Sequence, residues 1–275
     1  MKFRIYILLI LILSSLMILS IHDSIVDIIE WNRLKKFQNF KNVKFKLSMV
    51  SELPEPARRF FKFSIKEGTP LLTVAEIEMS GKFSLGTKEK PNYKEMKASQ
   101  ILASPEGFIW TLHLPGLIPI SGSDTAKWTR FRILHLFPVA RMGNDLDHTK
   151  SAFGRYVAES VFWTPAAVLP NDHIKWKQID HDTVRVTIEK DGLFQDVDIK
   201  VNEEGCPIEV TFLRWSNANV NKQFQLQPFG GKPSNFKEVQ GFKIPFHVEA
   251  ANLYGTKDEF FFFKADINKI QFLNH

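Results

Sequence analysis

The feature that most constrains this chain is an uncharged apolar segment close to its N-terminus. Residues 5–21 carry no charge and are mostly isoleucine and leucine, and they follow the basic residues Lys2 and Arg4. About 20 apolar residues in a helix span the hydrocarbon core of a bilayer, so this segment is near the lower limit for crossing one. It therefore predicts either a membrane anchor or an export signal.

The residues that follow the segment favour an anchor over a cleaved signal. Cleavage needs small residues at alternate positions, and residues 19–23 lack them. We expect residues 1–22 to remain as a membrane anchor or uncleaved signal, which contacts the membrane through residues 5–21. Because basic residues precede the segment and acidic residues follow it, we expect a single-pass protein of the cell membrane with its domain on the extracytoplasmic side.

An amphipathic segment comes next. Apolar residues recur at helical spacing among charged ones between Asp23 and about Phe40, with Asp23 or Ser24 as the N-cap. We expect residues 23–52 to form an amphipathic helix and linker, which either lies on the bilayer surface or leads into the domain. Two prolines then break the helix, so a single antiparallel β domain is expected over residues 53–275.

Most of this domain has the alternation of β-strands. Val184, Val186 and Ile188 face one side of a strand, polar residues face the other, and the turn Asp191-Gly192 leads into a segment that repeats the pattern. Short turns of this kind join antiparallel strands. Strands are predicted at residues 72–85, 93–102, 107–114, 174–179, 183–190, 194–201, 208–215, 219–226, 236–248 and 259–272.

One helix is predicted within the β domain, from Asp147 to Trp163. Phe153, Val157 and Val161 share one side of it. The chain also has 25 phenylalanines against 4 tyrosines, and side chains without a polar group require burial. We therefore predict a mainly β (α+β) fold: a large curved antiparallel sheet or half-barrel with one or two helices covering its concave face, preceded by the transmembrane helix.

Composition and motifs argue against several classes of function. The net charge is +6, but the basic residues are scattered and sit near acidic ones, so we expect no nucleic-acid binding. The eight histidines lack the spacing of a metal site, and P-loop, GxGxxG and GxSxG motifs are missing from the sequence, so we expect no metal and no cofactor. Gly230-Gly231 is interpreted as a turn, and the single cysteine, Cys206, as a structural residue.

The end of the predicted helix carries the most informative polar residues. Glu159 falls at the edge of the apolar stripe, where a carboxylate needs a partner. Arg155 lies one helical turn earlier and Arg214 lies on a predicted strand, so either one could pair with it. The pair would be a structural link between helix and sheet, a polar anchor at the mouth of an apolar cavity, or a general acid or base. Asp124 is a weaker candidate, which a turn cap explains.

Several short motifs are distributed over the domain. They are Leu53-Pro54, Gly81-x-Phe83, Phe108-x-Trp110, Arg155-Tyr156-x-x-Glu159-x-x-x-Trp163-x-Pro165, Arg214 and Gly241-Phe242-x-Ile244-Pro245. Together they resemble an uncharacterised family of bacterial and archaeal exported proteins, known only as a domain of unknown function. The resemblance implies a fold and no activity. The architecture is also similar to that of half-barrel lipoprotein carriers, an analogy that does not transfer function. The sequence departs from the family pattern at residues 124–130.

We predict a membrane-tethered extracytoplasmic protein that binds an apolar ligand, such as a lipid or an acyl chain, rather than an enzyme. Consecutive phenylalanines at residues 260–263 favour this, because they would point to both faces of the sheet and leave one face oily. The predicted ligand-binding residues are Glu159, Arg214, Trp163, Arg155, Tyr156 and Trp110. Two alternatives stay open: a hydrolase or transferase that uses Glu159 with Arg214, and a structural protein of the cell envelope.

Overall fold

The computed structural model of the chain describes residues 2–38 and 43–273. The helices are α1 (Lys2–Lys35), α2 (Glu55–Ser64) and α3 (Leu146–Trp163), with short 3-10 helices at Leu47–Val50 and Pro165–Val168. The strands are β1 (Ala75–Ser84), β2 (Tyr93–Ala103), β3 (Gly107–Leu114), β4 (Ile120–Thr125), β5 (Trp128–Ile133), β6 (Phe137–Gly143), β7 (Ile174–Gln178), β8 (Thr183–Lys190), β9 (Leu193–Val201), β10 (Pro207–Ser216), β11 (Gln225–Val239), β12 (Phe242–Asn252) and β13 (Phe260–Phe272).

The described strands form one antiparallel sheet, in the order β6-β5-β4-β3-β2-β1-β13-β12-β11-β10-β9-β8-β7. Strands that follow one another in the chain pair with each other, with one exception: β6 and β7 are the two edge strands, and α3 connects them. In addition, the first strand, β1, pairs with the last, β13. On its way across, α3 contacts strands as far apart in the sheet as β3 and β10, so the sheet curves around it. The predicted fold class, a mainly β protein with a large curved antiparallel sheet, is confirmed.

The main core lies between the concave face of the sheet and helices α2 and α3. The predicted stripe of Phe153, Val157 and Val161 is buried there. The inward residues of the alternating strands join the same core, among them Val186 on β8 and Ile199 on β9. Burial of these side chains holds α3 across the sheet, and this fixes the position of every polar side chain that α3 carries.

The C-terminal half of α1 packs against the outer face of the same sheet. Leu34 forms a separate small core with Ile101 on β2 and Ile109 on β3. The neighbouring Gln100 and Phe108 point to the concave side, because successive residues of a strand face opposite ways. The first half of the sheet is therefore covered on its outer face by α1 and on its inner face by α3.

The helix predicted to begin at Asp23 is not a separate element. α1 continues through Asp23 and Ser24 without interruption, so the expectation that either residue is an N-cap is wrong. The apolar and the amphipathic residues are both compatible with a helix, and no proline or glycine separates them. The predicted helix end at Phe40 lies outside the described residues.

The N-terminal half of α1 extends away from the domain. Large apolar side chains from Phe3 to Ile21 are exposed. At 34 residues, α1 is about 51 Å long. Within residues 2–38 and 43–273 it is the one helix that is long and apolar enough to cross a membrane.

Parts of the strand prediction are wrong. Strands β4 to β6 form where no strand was expected. The predicted turn at Gly230-Gly231 is wrong, since both residues lie inside β11. The strand has a glycine at position 230 because a Cβ atom there would come within 2.5 Å of the ring of Tyr254. The turn is instead formed by Gln240 and Gly241, which have φ angles of 52° and 88°. Most of the predicted strand at residues 219–226 is a loop.

Candidate functional site

A cavity of about 240 Å³ lies between α3 and the concave face of the sheet. Such a volume is somewhat below the range for small-molecule sites, about 300–1,000 Å³. Nine aromatic residues line it: Phe83, Trp110, Phe131, Phe162, Trp163, Phe212, Phe229, Phe262 and Phe263. The interior therefore suits an apolar molecule.

A bulge in β13 brings two consecutive phenylalanines to the cavity. Across β12 and β13, Ala250 pairs with Phe263 and Ala251 pairs with Phe261, so Phe262 is the extra residue. An extra residue interrupts the alternation of side chains along a strand. Phe262 and Phe263 consequently both line the cavity, and Phe261 packs elsewhere, against Tyr254.

Arg155 organises the polar part of the lining. Its Nη1 donates to Oδ2 of Asp124 at 2.5 Å, and its Nε donates to Oε1 of Glu159 at 2.8 Å. The second oxygen of Glu159 accepts from Nε2 of Gln100 at 2.6 Å. Burial alone would lower the pKa of Arg155, but the carboxylates of Glu159 and Asp124 outweigh it and raise this pKa above its usual value. Arg155 is thus a permanent cation with two counter-ions.

Arg214, on β10, has a different environment. Its Nε donates to the carbonyl oxygen of Ser151 at 3.4 Å, and its guanidinium lies 5.1 Å from the centre of the Phe229 ring. It forms no ion pair with any residue that the structure describes. Burial and the positive charge of Arg155 lower the pKa of Arg214 to about 10, which still leaves it cationic at neutral pH. Within the described residues no carboxylate is in direct contact with Arg214, although Asp124 and Glu159 attract it from a longer distance.

Two tryptophans of the lining have buried indole N–H groups. Trp110 and Trp163 are only 3% and 2% exposed. Neither indole N–H has a hydrogen-bond partner among residues 2–38 and 43–273. Buried polar groups rarely lack a partner, but both nitrogen atoms are closed to solvent, so a ligand reaches them only if neighbouring side chains move.

Five of the six predicted site residues line this cavity: Glu159, Arg214, Trp163, Arg155 and Trp110. Tyr156 lies outside it, with its hydroxyl donating to the carbonyl oxygen of Pro105 at 3.3 Å. Of the two partners considered for Glu159, the structure pairs it with Arg155, the residue one turn earlier.

Other residues of the site were missed or misjudged in the sequence. Asp124 was explained as a turn cap, but it lies on β4 and pairs with Arg155. Gln100 was not considered, although it shares the inward side of β2 with Ala98 and Leu102, and a fully buried glutamine at such a position indicates a polar network. Within the described part of the chain, no cluster of histidine, cysteine and acidic residues is placed to hold a metal.

Comparison with protein families identifies one match. The model of a family of unknown function, DUF6544, matches residues 43–265. Since this is well over half of the 275 residues, the chain belongs to that family. The predicted resemblance to a domain of unknown function is confirmed at the level of the family, and the motifs assigned to it stay a prediction. No curated protein matches the sequence.

Solved structures include distant likenesses. A LolA superfamily protein from Nitrosomonas europaea is 11% identical, with a TM-score of 0.40, over 80% of this chain and 93% of that one. A domain from Vibrio parahaemolyticus, described as an outer membrane lipoprotein-sorting protein, is 8% identical, with a TM-score of 0.41, over 82% of this chain and 91% of that one. At these scores the likenesses have no bearing on function.

Proposed function

We propose that this member of the DUF6544 family is a membrane-tethered protein that binds an apolar ligand with an acidic head group, such as a fatty acid or an anionic lipid. The ligand occupies the cavity between α3 and the sheet. The observation that carries this proposal is the position of Arg214, a cation that forms no direct ion pair within residues 2–38 and 43–273 and lies in a cavity that is mainly aromatic.

The aromatic lining supplies most of the affinity. Each methylene group of an acyl chain gains about 0.8 kcal/mol when it leaves water. Phe83, Phe262 and Phe263 provide a continuous apolar surface for it, with ring centres 5.8 Å apart between Phe83 and Phe262. The lost freedom of the ligand offsets part of this gain, so the cavity favours ligands with several buried methylenes.

The polar groups select the acidic head. A hydrogen bond to a charged group contributes about 1.5–3 kcal/mol. Arg214 can form such a bond from the lining of the cavity. Asp124 and Glu159 each form a direct ion pair with Arg155, and they act on Arg214 only from a longer distance, so its guanidinium can still contact a ligand.

The same geometry favours binding over catalysis by Glu159. A general base needs a lone pair that points at the proton it removes, within hydrogen-bond reach. Both oxygens of Glu159 already accept hydrogen bonds, one from Arg155 and one from Gln100. We therefore assign Glu159 to the support of the site.

The tether is the N-terminal half of α1. Its exposed apolar side chains require lipid, and Lys2 and Arg4 precede them, which favours a cytoplasmic N-terminus. The domain then lies on the extracytoplasmic side, immediately next to the bilayer, because α1 passes from the apolar half to the docked half without a break. An apolar ligand would reach the cavity from that bilayer.

Fluorescence quenching tests the binding proposal. Full-length protein in nanodiscs is titrated with dodecanoic acid that carries bromine on its chain, which quenches nearby tryptophans. We expect saturable quenching from Trp110 and Trp163, and a loss of most of it in the double variant Trp110→Phe/Trp163→Phe.

A blocked cavity provides the control. Ala250→Phe places a phenyl ring in the lining, whereas Ala250→Ser leaves the space open. Both variants must unfold at temperatures close to wild type. Quenching that persists in folded Ala250→Phe, or that never saturates in wild type, would contradict a ligand in this cavity.

A further inference from the structure

Two neighbouring loops at one end of the sheet are apolar and exposed. They join β3 to β4 and β5 to β6, and we call residues 114–121 and 133–140 the apolar rim. The apolar rim contains no aspartate, glutamate, lysine or arginine, and its one histidine is His135. Leu117 is 96% exposed and Ile118 is 60% exposed. The two loops are in contact, since the backbone N–H of Leu134 donates to the carbonyl oxygen of Pro119 at 2.9 Å.

The apolar rim lies beside the point where α1 leaves the sheet. Ser20, in the last turn of the apolar half of α1, donates its hydroxyl to the carbonyl oxygen of His135 at 3.0 Å. Farther along the helix, Asp27 accepts from Ser123, and Glu30 lies 3.5 Å from the ammonium group of Lys127. The helix therefore runs along the sheet from the rim to the opposite ends of β4 and β5, and its apolar half projects beyond the rim.

A cluster of arginines lies next to the apolar rim. The buried carboxylate of Asp23 pairs with Arg141 at 2.5 Å and Arg130 at 3.1 Å, and it also pairs with Arg132. Three cations around one carboxylate leave an excess of positive charge one turn of helix away from Ser20. Such an excess at the level of lipid head groups attracts anionic lipids.

We propose that the apolar rim inserts into the lipid bilayer that α1 enters, so that the domain is held against the membrane at two places. Exposed apolar loops require a covering, and the covering here is lipid because the rim continues the exposed apolar surface of α1. The loop between β1 and β2 lacks this character, since Lys88, Glu89 and Lys90 lie in it.

The inference rests on the proposed membrane anchoring by α1 and is independent of the ligand in the cavity. Attachment at two places prevents the domain from rotating about a flexible stalk. The ion pairs of Asp23 fix the helix to the sheet, and the rim fixes the sheet to the bilayer surface. The domain consequently has one orientation relative to the membrane.

Site-directed fluorescence tests the contact. Cysteine is introduced by Ile118→Cys in a Cys206→Ser background and labelled with NBD, and the full-length protein is placed in nanodiscs of phosphatidylcholine and phosphatidylglycerol. Leu146→Cys is the matched control, because Leu146 is 61% exposed against 60% for Ile118. Leu146 follows the end of β6, at the end of the sheet far from the rim. Asn144 there contacts Lys127, which pairs with Glu30 of α1, and Glu30 lies about 15 Å along the helix from Ser20.

We expect the Ile118 label to emit at shorter wavelength and to be quenched by nitroxide on the lipid acyl chains, and the Leu146 label to remain unaffected. Equal, weak quenching of both labels would overturn the insertion of the rim. So would quenching that appears only in discs holding two copies, since the rim would then be a dimer interface. If the protein leaves the discs altogether, the anchoring by α1 fails instead, and the two failures are distinguishable.

Discussion

The replacement Arg155→Met gives the sharpest test of the polar network in the cavity. It removes the cation that Asp124 and Glu159 share. Removing one partner of a buried ion pair typically costs about 3–5 kcal/mol, because a charge is left without compensation. Here the side chains of Asp124 and Glu159 retain 18% and 17% exposure, and Thr129 and Gln100 still donate to them. We therefore expect a loss at the lower end of that range, about 3 kcal/mol.

Thermal unfolding measures this loss. In a domain of this size, 1 kcal/mol lowers Tm by about 2–4 °C, so Arg155→Met should unfold about 6–12 °C below wild type. Arg185→Met is the matched control. Arg185 also pairs with two aspartates, Asp196 and Asp198, but its side chain is 37% exposed. Exposed pairs typically contribute about 0.5 kcal/mol each, so the loss of both should lower Tm by about 2–4 °C.

A compensated variant separates charge from packing. Adding Asp124→Asn and Glu159→Gln to Arg155→Met removes both uncompensated charges while keeping the shapes. We expect most of the lost stability to return, because neutral groups of similar volume are tolerated where an unpaired charge is not. If Arg155→Met is as stable as wild type, or if the triple variant is no more stable than Arg155→Met, the ionic account of this network is wrong.

Three further predictions concern the sheet and the ligand. Gly230→Ala should cost about 1–3 kcal/mol in urea unfolding, since its new methyl group meets the ring of Tyr254 at 2.5 Å; an unchanged midpoint would contradict this packing. Affinity for dodecanoic acid in buffer should be constant from about pH 7 to pH 9, because the carboxyl group of an alkanoic acid titrates near pH 5, slightly above glutamate, and the pKa of Arg214 is about 10. A decline within that window, measured by tryptophan quenching, would contradict Arg214 as the anchor. Glu159→Gln should lower stability and leave the affinity for the acid within about tenfold of wild type, whereas loss of ligand with no loss of stability would return Glu159 to the binding residues.

Periodicity accounts for the parts of the fold that the sequence predicts well. Val184, Val186 and Ile188 alternate as expected for a strand with one buried face, and Phe153 and Val157 form the buried side of α3. Both patterns depend only on neighbours in the chain. Strands β4 to β6 have no such pattern, because α1 covers their outer face with polar contacts and the inward residues mix polar Asp124 with apolar Phe131.

Long-range contacts account for what sequence reasoning missed. Asp124 reaches Arg155 across 31 residues of chain, and Gln100 reaches Glu159 across 59. The curvature of the sheet brings these groups together, and the spacing of residues in the sequence does not indicate that curvature. The Gly230-Gly231 pair was misread for a similar reason: glycine occurs in turns, but also where another side chain packs tightly against a strand, as Tyr254 does here.

The preference for an acidic head group tests the central claim most directly. Dissociation constants for dodecanoic acid and dodecanol are measured with wild type, Arg214→Met and the control Arg185→Met. Wild type and the control should bind the acid about 10-fold to 150-fold more tightly than the alcohol, as expected for about 1.5–3 kcal/mol, and Arg214→Met should bind the two with similar affinity. If Arg214→Met keeps the full preference for the acid, or if wild type shows none, Arg214 is not the anchor of the ligand.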